Sequence, residues 1–241
     1  LLANGQFDGK QLVDGAALDE THKPQVISHA PKKATDRTSY YGLGWNVGTD
    51  AAGELFLNHS GAFDLGAATC VALVPQKQIG IVVLTNGGPI GVPESIAFAF
   101  VDLVNSGKIE RDWLATLKPT FDELAAPTYG TRVDYAKKPS PVSPPLAASA
   151  YLGVYRNGFV GDATVAEENG GLVLKLGPKA TAYPLTHFDR DVFLYQPQGE
   201  NAAGLSAVTF RIGADRIADS VVLENLNIHG SGTLSRVPAG K

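Results

Sequence analysis

The rhythm of apolar and polar positions changes twice along the chain. The opening Leu1–Gly9, with Asn4-Gly5 and Asp8-Gly9, reads as a helix end running into a turn. A short amphipathic helix is predicted over Asp14–His22 with Asp14 as its N-cap, followed by a loop rich in Pro, Lys and Thr up to Ser39. From Tyr40 to Asn86 the pattern is that of strands: Tyr40–Val47, Leu55–His59, Ala67–Val74 and Ile79–Thr85. Pro75–Gln78 makes a tight hairpin between the last two, and their almost wholly apolar composition implies a sheet covered on both faces. Pro93–Asn105 is an apolar helix with Pro93 in its first turn and Gly107 as its stop. A more polar helix is predicted over Glu110–Ala125.

Ala126–Ala148 holds five prolines, at 127, 139, 141, 144 and 145, and reads as a stiff linker. After it every segment is short, strand-like and bounded by turns. The predicted strands are 151–156, 162–167, 172–176, 181–187, 192–195, 207–212, 218–224 and 233–237, with Asn169-Gly170 a strong hairpin signal. About eight antiparallel strands without an intervening helix predict a small up-and-down barrel. The chain is therefore read as α+β, with a first domain portion at 1–125, a linker at 126–148 and a barrel at 149–238.

Composition narrows the choice of function. A hydrophobic share of 44% with 18% charged residues is that of a soluble globular protein. A formal charge of -4 without a Lys/Arg cluster argues against a nucleic-acid partner. The longest apolar runs are far short of a membrane span, so no transmembrane segment is expected. Cys70, the only cysteine, excludes an internal disulfide and leaves the redox compartment open; within Ala67–Val74 it reads as a buried small hydrophobe. The sequence has no methionine and begins at Leu1, so a signal peptide is expected to lie upstream if there is one.

Candidate chemistry centres on His59-Ser60-Gly61, set at the end of a strand. Taken with Tyr41-Gly42-Leu43-Gly44-Trp45, Gly66, Leu73-Val74-Pro75 and Ile81-Val82-Val83-Leu84-Thr85-Asn86, it resembles the end of the transpeptidase-like domain of class C β-lactamases, DD-peptidases and related esterases. The resemblance covers about residues 1–107. It implies the C-terminal strands and helix of an α/β sandwich, an acyl-enzyme mechanism, no cofactor and no metal, and it favours a periplasmic or secreted location.

Within that resemblance the Ala62 N–H is the oxyanion-hole donor of the strand. His59 faces the cleft, binding a substrate carboxylate or assisting proton transfer, and Ser60 hydrogen-bonds the same group. Gly61 lets the substrate approach the backbone. A histidine at the first position of the motif leans toward DD-peptidases, D-aminopeptidases and esterases.

The family takes its nucleophile from Ser-x-x-Lys, and no serine here is followed three positions on by lysine. The nucleophile and general base are therefore expected outside this chain, which by itself is expected to be inactive. The expected partners are a small ester or amide substrate, and an upstream part of the same protein or a dimer mate. Tyr155-Arg156-Asn157 matches the family's Tyr-x-Asn pattern but follows His59-Ser60-Gly61 instead of preceding it, so Tyr155 is read as a barrel residue. His22, His29, His187 and His229 are scattered and read as surface or turn residues.

Tyr151-Leu152-Gly153-Val154-Tyr155, with Gly161-Asp162 and Leu172-Val173-Leu174, resembles the lipocalin-like barrel appended to such hydrolases. Its interior either holds a ligand or is filled by its own side chains. The alternative function is a small-ligand-binding barrel on a degenerate, non-catalytic penicillin-recognising scaffold.

Overall fold

The computed structural model describes residues 1–200 and 202–238. The chain divides into two compact units, Leu1–Ala125 and Ala126–Lys241.

The first unit opens with a two-stranded hairpin, β1 (Gln6–Phe7) and β2 (Lys10–Gln11), where a helix end was expected. Asp8 and Gly9 both adopt positive φ at its tip, so the chain reverses there. Helix α1 (Gly15–His22) starts as the sequence predicts, with Asp14 Oδ1 accepting from the Ala17 N–H at 2.8 Å. A six-stranded antiparallel sheet follows, its strands in sequence order: β3 (Val26–His29), β4 (Ser39–Tyr41), β5 (Asn46–Thr49), β6 (Leu55–Phe63), β7 (Ala67–Val74) and β8 (Ile79–Thr85).

The sheet departs from the expectation in three places. Strand β3 lies in the stretch read as loop; all four of its residues are exposed, so it carries no burial pattern to betray it. The single run Tyr40–Val47 is folded into two strands by a turn at Gly42–Trp45, closed by the Gly42 N–H donating to the Trp45 carbonyl at 2.8 Å, with Gly44 at positive φ. Strand β6 continues past His59 to Phe63, so the His-Ser-Gly motif lies within the strand rather than at its end.

Helix α2 (Val92–Ser106) has proline in its first turn and ends at Gly107, whose φ of 75° lets its N–H reach the Leu103 carbonyl at 2.9 Å. Its buried Ala97 and Val101 pack on Cys70, Ala72 and Val74 of β7. The other sheet face has its own cluster around Val47, Leu57 and Leu73. Helix α3 (Trp113–Leu124) is shorter than predicted because Asp112 caps it, accepting from the Ala115 N–H at 3.0 Å.

The second unit is a nine-stranded antiparallel sheet: β9 (Gly153–Asn157), β10 (Gly161–Glu168), β11 (Gly171–Leu176), β12 (Thr181–Pro184), β13 (Thr186–Asp189), β14 (Val192–Tyr195), β15 (Ser206–Ile212), β16 (Ala218–Leu223) and β17 (Thr233–Arg236). The expected run 181–187 becomes two strands. Pro184, which has no N–H to donate, ends β12, and only Leu185 separates it from β13. These consecutive strands form the two edges of the sheet, so it curls into a nearly closed barrel. Inside it Tyr155, Leu174, Val208, Val221, Leu223 and Leu234 are fully buried together, which makes the interior a packed core.

Residues 126–148 belong to this unit and lie against its strands. Tyr129 is buried, its hydroxyl accepting from the Ala203 N–H at 2.6 Å. Glu224 holds the same segment, accepting from the Gly130 N–H at 3.1 Å and the Tyr135 hydroxyl at 2.8 Å. Ser143 N–H donates to Asp189 at 2.7 Å. Among the described residues no helix is long and apolar enough to cross a membrane.

Candidate functional site

Strand β6 pairs with β7 from Leu57 opposite Leu73 to Phe63 opposite Ala67. Its ladder with β5 runs only from Leu55 to Asn58. From His59 to Phe63, among the described residues, one edge of the strand carries no ladder. That leaves a row of backbone donors and acceptors open to an extended ligand.

The four predicted site residues lie side by side along this edge. His59 and Gly61 point to one face of the sheet, opposite Val71 and Thr69, while Ser60 and Ala62 point to the face that carries α2, opposite Cys70 and Ala68. A group seated against the strand edge is thus flanked by His59 on one side and Ser60 on the other. His59 is half-buried, and its Nε2 lies 3.0 Å from the Tyr41 hydroxyl, with the two rings edge to face at 6.0 Å. Tyr41 follows from no local pattern, being 18 positions away, although it opens the Tyr-Gly-Leu-Gly-Trp stretch.

Gly61 has a reason that sequence reading missed. A Cβ there would stand 2.7 Å from Thr69 Oγ1 on β7, so a side chain at 61 collides with the neighbouring strand whatever binds outside. Cys70 is 1% exposed, and burial, outweighing a hydrogen bond from Ser60, pushes its thiol up to about 11. It stays a neutral thiol at physiological pH and is no nucleophile.

The scattered histidines do not join this edge. His22 stacks on Trp45, edge to face at 5.4 Å, and His187 Nε2 lies 3.0 Å from the Arg190 carbonyl. Tyr155 is fully buried in the barrel, its hydroxyl donating to the Tyr151 carbonyl at 2.7 Å. Among the described residues no group of three or more His, Cys, Asp or Glu could hold a metal ion.

Comparison with known proteins follows this division of the chain. The β-lactamase family model matches residues 5–106, which include the whole of the site. A solved structure of the C-terminal domain of penicillin binding protein Rv0907 is 33% identical; the match covers 99% of that chain and 44% of this one, with a TM-score of 0.38. The chain belongs to the β-lactamase and penicillin-binding protein family.

This family is one of serine hydrolases in general. Residues 137–232 match a second family model, a domain of unknown function, DUF3471. An octameric penicillin-binding protein homologue from Pyrococcus abyssi is 16% identical over 93% of this chain, with a TM-score of 0.35, and SurE is 19% identical over 94%, with a TM-score of 0.31. The chain spans 42% and 43% of the lengths of those two proteins. No curated protein matches the sequence.

Proposed function

We propose that this chain supplies one wall of the active site of a serine hydrolase that works through an acyl-enzyme on a small ester or amide. The observation that carries the reading is the open edge of β6 from His59 to Phe63, with His59 held beside it by the Tyr41 hydroxyl at 3.0 Å. In this proposal the carbonyl of the substrate sits against the edge, and its developing oxyanion takes the Ala62 N–H, a donor fixed before the reaction starts. His59 donates to a carboxylate of the substrate or moves a proton at its Nε2, and Ser60 hydrogen-bonds the same group from the other face. The nucleophile and its base come from polypeptide outside these 241 residues, since no Ser-x-x-Lys occurs within them.

The exposed apolar side chains Val82 and Leu84, on the sheet face opposite α2, support the same reading. They are the surface that the nucleophile-bearing part of the protein, or a second copy, would cover. The ligand-binding alternative gains nothing from the barrel, whose interior is occupied by its own side chains.

The test uses a longer protein carrying Ser-x-x-Lys together with this chain. His59→Ala there is expected to lower kcat/KM on a p-nitrophenyl ester by about ten- to a thousand-fold. An unchanged value would reduce His59 to a structural residue. The 241-residue chain alone should neither hydrolyse the ester nor take a fluorescent penicillin label; stoichiometric labelling of it would overturn the proposal.

A further inference from the structure

A second site candidate lies in the first unit, outside the β6 edge and its four motif residues. A cavity of about 440 Å³ opens between the β5–β6 turn, helix α2 and the start of α3. That is the size of a small-molecule pocket. Its apolar wall is aromatic: Phe98 stands edge to face with Phe56 at 5.7 Å and with Trp113 at 5.1 Å. Its polar wall is acidic. Asp50 and Asp102 both line it, and they are 8% and 6% exposed.

The two carboxylates differ in how fully they are engaged. Asp50 accepts at both oxygens, from the Glu54 N–H at 3.0 Å and from Asn105 Nδ2 at 2.8 Å. Asp102 accepts twice at one oxygen, Oδ2, from the Glu110 N–H at 3.0 Å and the Trp113 indole N–H at 2.7 Å. Its Oδ1 accepts nothing among the described residues, yet it is not among the buried, sealed-off atoms without a partner. Asp102 lines the cavity, so this free oxygen is the acceptor left for a ligand there.

The free oxygen of Asp102 decides what fits there. Asp50, Asp102 and Glu110 line the cavity together with Arg111, whose guanidinium lies over the Trp113 ring at 4.8 Å; Arg37 donates to Thr49 Oγ1 at 2.7 Å and to the Asp50 carbonyl at 2.8 Å, and Lys108 pairs with Glu110 at 3.6 Å. The nearby Lys77 is paired with Glu54 at 3.6 Å and bonded to Asn105. An anion or a neutral apolar molecule leaves Asp102 Oδ1 desolvated without a donor.

We propose that this cavity binds a small organic ammonium with an aromatic or aliphatic body. Its N–H groups donate to Asp102 Oδ1, and its body packs on Phe56, Phe98 and Trp113, whose ring faces favour positive charge. The site is independent of the hydrolase reading.

The Trp113 indole proton, bonded to Asp102, is a reporter built into the site. Proton–nitrogen NMR of the 241-residue chain shows two indole signals, for Trp45 and Trp113, and Trp45→Phe assigns them. Titration with 2-phenylethylammonium should shift the Trp113 signal saturably, while 2-phenylethanol, the neutral analogue of the same shape, should not. Asp102→Asn should weaken the binding by at least about ten-fold, the worth of a hydrogen bond between charged groups. Ala51→Phe, at an exposed lining position where a larger side chain leaves the core untouched, should abolish it even if Asp102→Asn fails to fold. No saturable shift, equal binding of the alcohol, or unchanged binding by Ala51→Phe would overturn the proposal.

Discussion

The two units bury their apolar surface in opposite ways. In the barrel, the inward side chains of nine strands meet one another, and Tyr155 and Val208 are 0% exposed. In the first unit, helix α2 covers one face of the sheet, while on the other face Val82 is 65% and Leu84 73% exposed. The barrel completes its own core. The sheet of the first unit leaves apolar surface in water.

The contrast can be broken by substitution. Tyr155→Ala in the barrel removes a ring packed on Phe210, the hydroxyl bond to Tyr151 and the support under Arg236. It is expected to cost about 3–5 kcal/mol by urea denaturation followed through the second unit. A loss below 1 kcal/mol would mean the barrel core is loosely packed.

Glu224→Ala is expected to cost less, about 1–3 kcal/mol, because it leaves the Gly130 N–H, the Tyr135 hydroxyl and the Ala207 N–H without an acceptor. Limited proteolysis should then cut between Thr128 and Ser143 sooner than in the parent chain. An unchanged cutting pattern would show that prolines alone, and not Glu224, hold the segment.

The smallest effect is expected at Leu84→Thr, within about 0.5 kcal/mol in this chain, since a threonine suits a strand and little burial is lost. A cost near that of Tyr155→Ala would show that the face is covered in solution, and the distinction between the units would fall.

Much of this division was legible because it is written in local pattern. Pro93 and Gly107 bracket α2, Asp14 caps α1, and the apolar runs of β7 and β8 have strand length. What escaped was set by distant contacts or by their absence. Val26–His29 is a strand only because Tyr40 and Tyr41 pair with it, and with every residue exposed it shows no alternation. The prolines of 126–148 suggested a stiff linker, and nothing local shows that the binding partners of Tyr129, Tyr135 and Ser143 lie 46 to 89 positions away. The candidate site divides in the same way: His59 to Ala62 stand out in the sequence, but the Tyr41 contact and the collision that Thr69 imposes on Gly61 exist only once the strands are paired.

The connectivity of the barrel also sets the order in which it can assemble. Seven of its eight ladders join strands that follow one another along the chain, each a hairpin or a short connection that can form early. The eighth joins β17 to β9, bringing Arg236 against Tyr155 across 81 positions. Closing that loop is the one long-range entropic cost in the topology, and it falls on the pair of strands at the centre of the sheet. Two half-sheets, β9–β12 and β13–β17, can therefore zip up separately, and the domain becomes cooperative only when its last strand finds its first.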